Sequence, residues 1–184
     1  MKKVVVCLAN GFEEIEAVSI LDVLRRSDVS VLSVSVTGSK GVKGAHNIQV
    51  MADELFENID FSGISMIVLP GGMPGSQNLF NHAGLREKLK DFNAKGKLLG
   101  AICAAPMVLG DLGILENRNA TCYPGYGNYL KQAHLKQGAV VEDGNIITGN
   151  GPAAALGFSF KLVERLNGKE SAALTAKKML VPGK

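Results

Sequence analysis

The sequence predicts an α/β domain, with a mostly parallel central sheet and helices on both of its faces. Two observations carry that expectation. Short apolar runs such as Val4–Ala9 and Ser65–Leu69 have the pattern of strands covered on both sides, as in a parallel sheet. Longer segments of helical periodicity stand between such runs, and strands alternating with helices close into a parallel sheet through crossover connections.

Taken in order, Val4 to Ala9 is the first strand, and Asn10-Gly11 breaks it. A helix starts near Glu13 with acidic residues in its first turn, where the helix dipole favours them, and runs to about Ser27. The β-branched run Val29 to Thr37 makes a second strand. Gly38 to Gly44 reads as a turn into a short hairpin, with Ile48 to Met51 as one arm. Ser65 to Leu69 is a strand ended by Pro70-Gly71-Gly72. A helix over about Leu85 to Lys95 precedes the strand Leu98 to Ile102, and a further helix is expected directly after Cys103, with Pro106 tolerated in its first turn. Ala139–Val141 and Ile146–Thr148 flank Glu142-Asp143-Gly144-Asn145, a hairpin signature. The last long helix spans Ala153 to Leu166 and stops at Asn167-Gly168, a suitable C-cap. No repeat, linker or low-complexity tract interrupts the pattern, so residues 1–184 read as one domain.

Composition narrows the function. The 184 residues suffice for a sizeable core, with 46% apolar and 20% charged residues. A formal charge of +3, with the lysines scattered, argues against a nucleic-acid partner. The apolar start is too short for a signal peptide and meets Glu13, Glu14 and Glu16 almost at once. No stretch approaches the roughly 20 apolar residues of a membrane helix, so no membrane partner is expected. The three cysteines, Cys7, Cys103 and Cys122, lack CxxC spacing, which suggests neither a disulfide framework nor a zinc site and fits a reducing cytoplasm.

Sites in such folds gather beyond the carboxyl ends of the strands, which selects the loops after Ala9, after Leu69 and at Cys103. At Leu98-Leu99-Gly100-Ala101-Ile102-Cys103-Ala104-Ala105-Pro106 a strand runs into the cysteine and a helix leaves it, with small residues after the turn. This is the pattern of a nucleophile elbow, in which a helix N-terminus would favour thiolate over thiol; a buried core cysteine is the alternative. Pro70-Gly71-Gly72-Met73-Pro74-Gly75 would let backbone amides approach an oxyanion, or is simply a glycine-rich turn. In the first helix, Ala17, Ile20, Leu21 and Leu24 form the apolar arc, with Glu16 roughly 40° from Ile20 and Glu14 roughly 20° from Leu21. The wheel does not choose between them. A carboxyl group at that margin is either partly desolvated, with a raised pKa, or a solvated first-turn residue. His46, His82 and His134 form no metal motif; His46, at the hairpin, is the one of interest.

Together, GFEEIEA at the start, VLPGG after its strand, AICAAP at the elbow, EDGNIITGNGPAAAL near the end and the closing LNGKE resemble the ThiJ/PfpI family, in the branch of the Parkinson-disease-associated deglycase. The resemblance implies a flavodoxin-like three-layer sandwich, a homodimer, and no metal or organic cofactor. It makes Cys103 the nucleophile and Glu16 its carboxyl partner, with the backbones of Gly72 and Ala104 as an oxyanion hole and Gly71 beside them. The implied activity is glutathione-independent conversion of small aldehydes such as methylglyoxal, with the related removal of glyoxal adducts from proteins. A redox-responsive sensor or chaperone, in which Cys103 oxidises to sulfinate, is the alternative. Two positions depart from the family pattern. Tyr123 stands where several relatives place a histidine, and a phenol with an unperturbed pKa near about 10 is a poor base at neutral pH. Proton transfer between substrate carbons then falls to Glu16, a water or another group. His46 stands where the better-known relative carries an arginine near its dimer interface.

Overall fold

The computed structural model describes residues 2–182. In chain order the elements are β1 (Lys3–Leu8), α1 (Glu14–Arg26), β2 (Ser30–Ser35), β3 (Gly41–Lys43), β4 (Gln49–Met51), β5 (Glu54–Leu55), β6 (Ile64–Leu69), α2 (Gly75–Asn81) and α3 (Ala83–Ala94). They continue with β7 (Leu98–Ile102), α4 (Pro106–Asp111), β8 (Asn119–Ala120), β9 (His134–Leu135), β10 (Val140–Asp143), β11 (Ile146–Gly149), α5 (Ala155–Asn167) and α6 (Lys169–Lys178). Seven strands form the main sheet in the order β10-β11-β7-β6-β1-β2-β5. All its pairings are parallel except β10 with β11, which the Gly144-Asn145 turn joins as an antiparallel hairpin.

The apolar runs become central strands because both of their faces find cover. Along β1, Val4, Val6 and Leu8 enter one buried cluster, while Val5 and Cys7 enter another. The first cluster includes the apolar faces of α1 and α5 with Ala172 and Ala176 of α6. The second takes Leu79 of α2, Leu85, Leu89 and Phe92 of α3, and Met107, Val108 and Leu109 of α4. Helices thus cover both faces, giving the α/β sandwich that the alternation predicts.

The differences from the sequence reading are local. Gly41–Lys43 is a strand paired with β4 rather than part of a turn. No assignment was expected over Gly75–Asn81, a stretch rich in weak helix formers, yet it is α2. Gly75 is required there by packing: a Cβ would come within 2.6 Å of the Gly11 and Phe12 backbone. Helix α6 follows directly once Gly168 ends α5, and buries only Ala172, Thr175 and Ala176, too weak a stripe to read as periodicity. Helix α4 begins at Pro106, three residues beyond the cysteine, so residues 103–105 form the turn and no helix starts at Cys103 itself.

Candidate functional site

The sheet is wound in opposite directions from its middle. From β1 the chain moves to β2 on one side, while β6 leads to β7 and β11 on the other. A crevice therefore opens at the carboxyl ends of β1 and β6, the place where such sheets hold ligands. Cys103 lies beside it at the end of β7. It is 8% exposed and has φ 64°, the left-handed region, which costs a side-chain-bearing residue about 1–2 kcal/mol. Two bonds hold that conformation: the Cys103 amide donates to the Gly149 carbonyl at 2.9 Å, and the Tyr123 amide donates to the Cys103 carbonyl at 2.8 Å.

The loop after β6 is stitched to the loop after β1. The Glu13 amide donates to the Gly71 carbonyl at 2.8 Å, and the Gly75 amide to the Gly11 carbonyl at 3.0 Å. Gly72 has φ 90°, and a Cβ on it would collide with the Glu13 amide nitrogen and the Gly11 carbonyl. At Gly71 a Cβ would lie 2.5 Å from Cys103 Cβ and 2.7 Å from Glu16 Oε2. These glycines are therefore what lets α1 approach the elbow and carry Glu16 to the thiol.

Glu16 is fully buried. Its Oε2 accepts the Gly71 amide at 2.7 Å, while Oε1 is buried without a hydrogen bond among the described residues. Burial pushes its pKa up to about 7, with the charge of Glu13 adding to the rise and the Gly71 amide and Cys103 opposing it. Burial, and then the charge on Glu16, push the Cys103 thiol up to about 12, while the amides of Gly72 and Ala104 pull it down. The sequence expectation of a thiol made acidic by a helix terminus is corrected here. The helix begins too late, and burial, reinforced by the charge of Glu16, outweighs the amides. Near neutrality Glu16 is partly protonated while the thiol keeps its own proton, so thiolate forms only as a base such as ionised Glu16 takes that proton.

Glu14, the rival of Glu16 on the wheel, is also buried, so neither is the solvated first-turn residue. It faces the β3–β4 hairpin. The His46 amide donates to its Oε1 at 2.7 Å, with the Ile48 amide at 3.4 Å, and His46 Nδ1 meets Oε2 at 2.8 Å. Burial raises its pKa, but these bonds outweigh burial and leave it below the ordinary value. The Glu14 hydrogen bond, then the charges of Glu13 and Glu14, raise the exposed His46. Donor atoms of Glu13, Glu14 and His46 all lie within 4.8 Å of one another, the one such group of potential metal-ligating side chains among the described residues. His46 is thus tied to α1 but not to Cys103.

Tyr123 borders the elbow, 46% exposed, with its ring over Gly151. Cys122 packs with the opposite buried cluster from Cys103. Cys7 is fully buried and pushed up to about 12 by burial. His82 caps α3, its Nδ1 accepting the Leu85 amide at 3.0 Å. Sequence reasoning passed over Gly149 and Gly151. Two glycines closing a strand at the carboxyl edge are the signal that marks them.

A model of the DJ-1/PfpI family matches residues 2–165. Protein DJ-1 homolog B of Arabidopsis thaliana is 42% identical over 173 residues, covering 93% of this chain; the chain spans only 40% of that relative's length. The glutathione-independent glyoxalase DJR-1.2 of Caenorhabditis elegans is 34% identical over 161 residues, covering 86% of this chain and 84% of the relative. Among solved structures, oxidized DJ-1 of Toxoplasma gondii superposes with a TM-score of 0.95 at 37% identity, over 99% of this chain and 100% of that one.

Proposed function

Because the chain belongs to the DJ-1/PfpI family, we propose that it is a cysteine-dependent enzyme acting on small reactive aldehydes such as methylglyoxal. The observation that carries this reading is the buried pairing of Cys103 with Glu16, whose side chains meet at Gly71 and whose carboxyl is raised to about 7. A worm relative named as a glyoxalase supports it.

In the proposed reaction the Cys103 sulfur bonds to the aldehyde carbon, and the carbonyl electron pair moves onto oxygen. Glu16 takes the thiol proton and passes it to that oxygen, giving a hemithioacetal. The Gly72 and Ala104 amides steady the oxygen while it carries charge. The hydrogen on the former aldehyde carbon then leaves as a proton and returns to the neighbouring carbon, with Glu16 as relay. The first carbon becomes a thioester carbonyl and the second a carbinol. Water cleaves the thioester, releasing lactate and the free thiol. Methylglyoxal and one water balance lactate, so the sequence calls for no metal, organic cofactor or external oxidant.

A second reading has one observation in its favour: the two amides that would serve the substrate oxygen already aim at the sulfur. Peroxide oxidation of Cys103 would place sulfinate oxygens in that cradle, with Glu16 sharing its proton. Methylglyoxal turnover by wild type beside Cys103→Ala separates the two. Turnover lost with the thiol supports the enzyme, and a wild type that oxidises cleanly without turnover overturns it.

The working unit in this proposal is a homodimer. Ile15 and Val18 leave α1 exposed at 59% and 49%, and Ile48 and Met51 of the neighbouring hairpin are exposed at 57% and 67%. These side chains would be covered by a second copy. Light scattering that gives a monomer mass at micromolar concentration would refute this.

A further inference from the structure

We propose that Tyr123 sets the substrate preference of the Cys103 site, favouring α-oxoaldehydes that carry a flat aromatic group over methylglyoxal. The inference rests on the aldehyde reading above and extends it to the class of substrate.

Two tethers fix Tyr123 next to Cys103 in the backbone. The Tyr123 amide donates to the Cys103 carbonyl, and the Cys103 amide donates to Gly149, two residues before Gly151. Gly151 lies under the ring: a Cβ there would sit 3.3 Å from Tyr123 Cδ2 and 3.7 Å from Cε2. The elbow, the end of β11 and the Tyr123 ring are therefore one continuous piece of surface. Tyr126 meets Tyr123 edge-on at 6.4 Å, and Tyr129 stacks on Tyr126 at 6.2 Å and 27°. All three tyrosines of the chain thus stand within seven residues, and their rings form a row. Tyr123 remains 46% exposed, with no hydrogen bond to its hydroxyl among the described residues, so ring surface is free for a ligand.

The exposed ring in this place offers a flat platform. An aryl group on the ketone side of the substrate can stack on or meet edge-on the exposed ring, whereas the methyl of methylglyoxal offers little area. One such ring pair contributes roughly three- to tenfold.

The measurement is the ratio of kcat/KM for phenylglyoxal to that for methylglyoxal in wild type, Tyr123→Ala and Tyr123→Phe. We expect a ratio of roughly ten in wild type, a fall towards one in Tyr123→Ala, and a retained ratio in Tyr123→Phe, because the ring and not the hydroxyl carries the contact. A merely structural Tyr123 would lower both constants in proportion, and an unchanged ratio in Tyr123→Ala overturns the proposal. Should wild type turn over neither aldehyde, the aldehyde reading fails on its own. The preference is then read from protection of Cys103 against iodoacetamide by benzoylformate and by pyruvate. Stronger protection by benzoylformate that Tyr123→Ala abolishes supports the ring platform, and equal protection by the two refutes it.

Discussion

Helix α1 carries two buried glutamates two residues apart, and they behave in opposite ways. Glu14 accepts three hydrogen bonds from the hairpin and sits below its ordinary pKa; Glu16 accepts one amide, leaves Oε1 unbonded and rises to about 7. Each is approached by a glycine. A Cβ on Gly44 would fall onto Glu14 Oε1, and a Cβ on Gly71 would crowd Glu16 Oε2. Desolvation raises both, but it governs the deeper Glu16, whereas at Glu14 the hairpin donors outweigh it. Depth and donors together decide which carboxyl can move a proton. A saturated carboxylate is a clamp, and an undersaturated one holds its proton near neutrality.

The largest expected effect tests that division in catalysis. Glu16→Gln should lower methylglyoxal turnover by at least roughly a hundredfold, the contribution of a general acid or base, although the amide keeps the shape and a hydrogen-bond donor. Glu14→Gln should leave kcat within about threefold, since its partners lie on the hairpin and not at the sulfur. Equal losses in steady-state assays of the two variants would break the comparison.

Stability against pH should separate them next. Glu16 keeps its proton in the folded state up to about 7, while the unfolded chain releases it near 4.5. Folding therefore becomes less favourable as pH rises through that window, by about 3 kcal/mol in total. Glu14 has the reverse sign: its contribution is present above 4.5 and is lost as pH falls through its lowered folded value. In urea titrations from pH 3 to pH 8, Glu16→Gln should flatten the neutral limb of the stability curve and Glu14→Gln the acid limb. His46, with its raised folded pKa, adds stability below its ordinary 6.5 that disappears as pH rises through the folded value. An unaltered neutral limb in Glu16→Gln would contradict the raised carboxyl.

The glycines give a smaller, spatial version of the same test. Gly71→Ala and Gly44→Ala should each cost about 1–3 kcal/mol of unfolding free energy by overpacking. Turnover should collapse in Gly71→Ala, where the new methyl meets Cys103, and survive in Gly44→Ala. Smallest is Ser76→Ala. The Ser76 hydroxyl is fully buried and has no hydrogen-bond partner among the described residues, so removing it should be neutral or raise stability by up to about 1 kcal/mol in thermal melts. A clear loss would show that the hydroxyl is satisfied after all.

Much of the fold was legible because it follows from local pattern. The runs at Val4, Ser65 and Leu98 could be read as buried strands since in a parallel sheet each is covered on both faces. The Gly144-Asn145 turn was visible from its own residues, with Gly144 at φ 61°. What escaped was held by distant contacts. Helix α2 forms from weak helix formers because Gly75 packs on the β1–α1 loop, and α6 is anchored in part by Thr175, whose hydroxyl meets that of Ser27 at 3.0 Å. The elbow was legible as a strand running into a cysteine with small residues after it. Its φ of 64° is sustained by Gly149 and Tyr123, which lie 46 and 20 residues away in sequence, beyond any local window.

By itself, then, the sequence determined the layers, the strand-end loops and the cysteine at the turn, since these depend on periodicity and on residues that tolerate few backbone shapes. Periodicity left Glu14 and Glu16 tied and the family resemblance pointed to Glu16; the tertiary structure gave the physical reason for that choice, and raised the thiol pKa that a helix terminus was expected to lower. A helical wheel records which way a side chain leaves its axis; the Cys103 amide cradle, the hairpin donors and the crowding at Gly71 come from three separate segments. Their distances, not their spacing along the chain, determine where a proton rests.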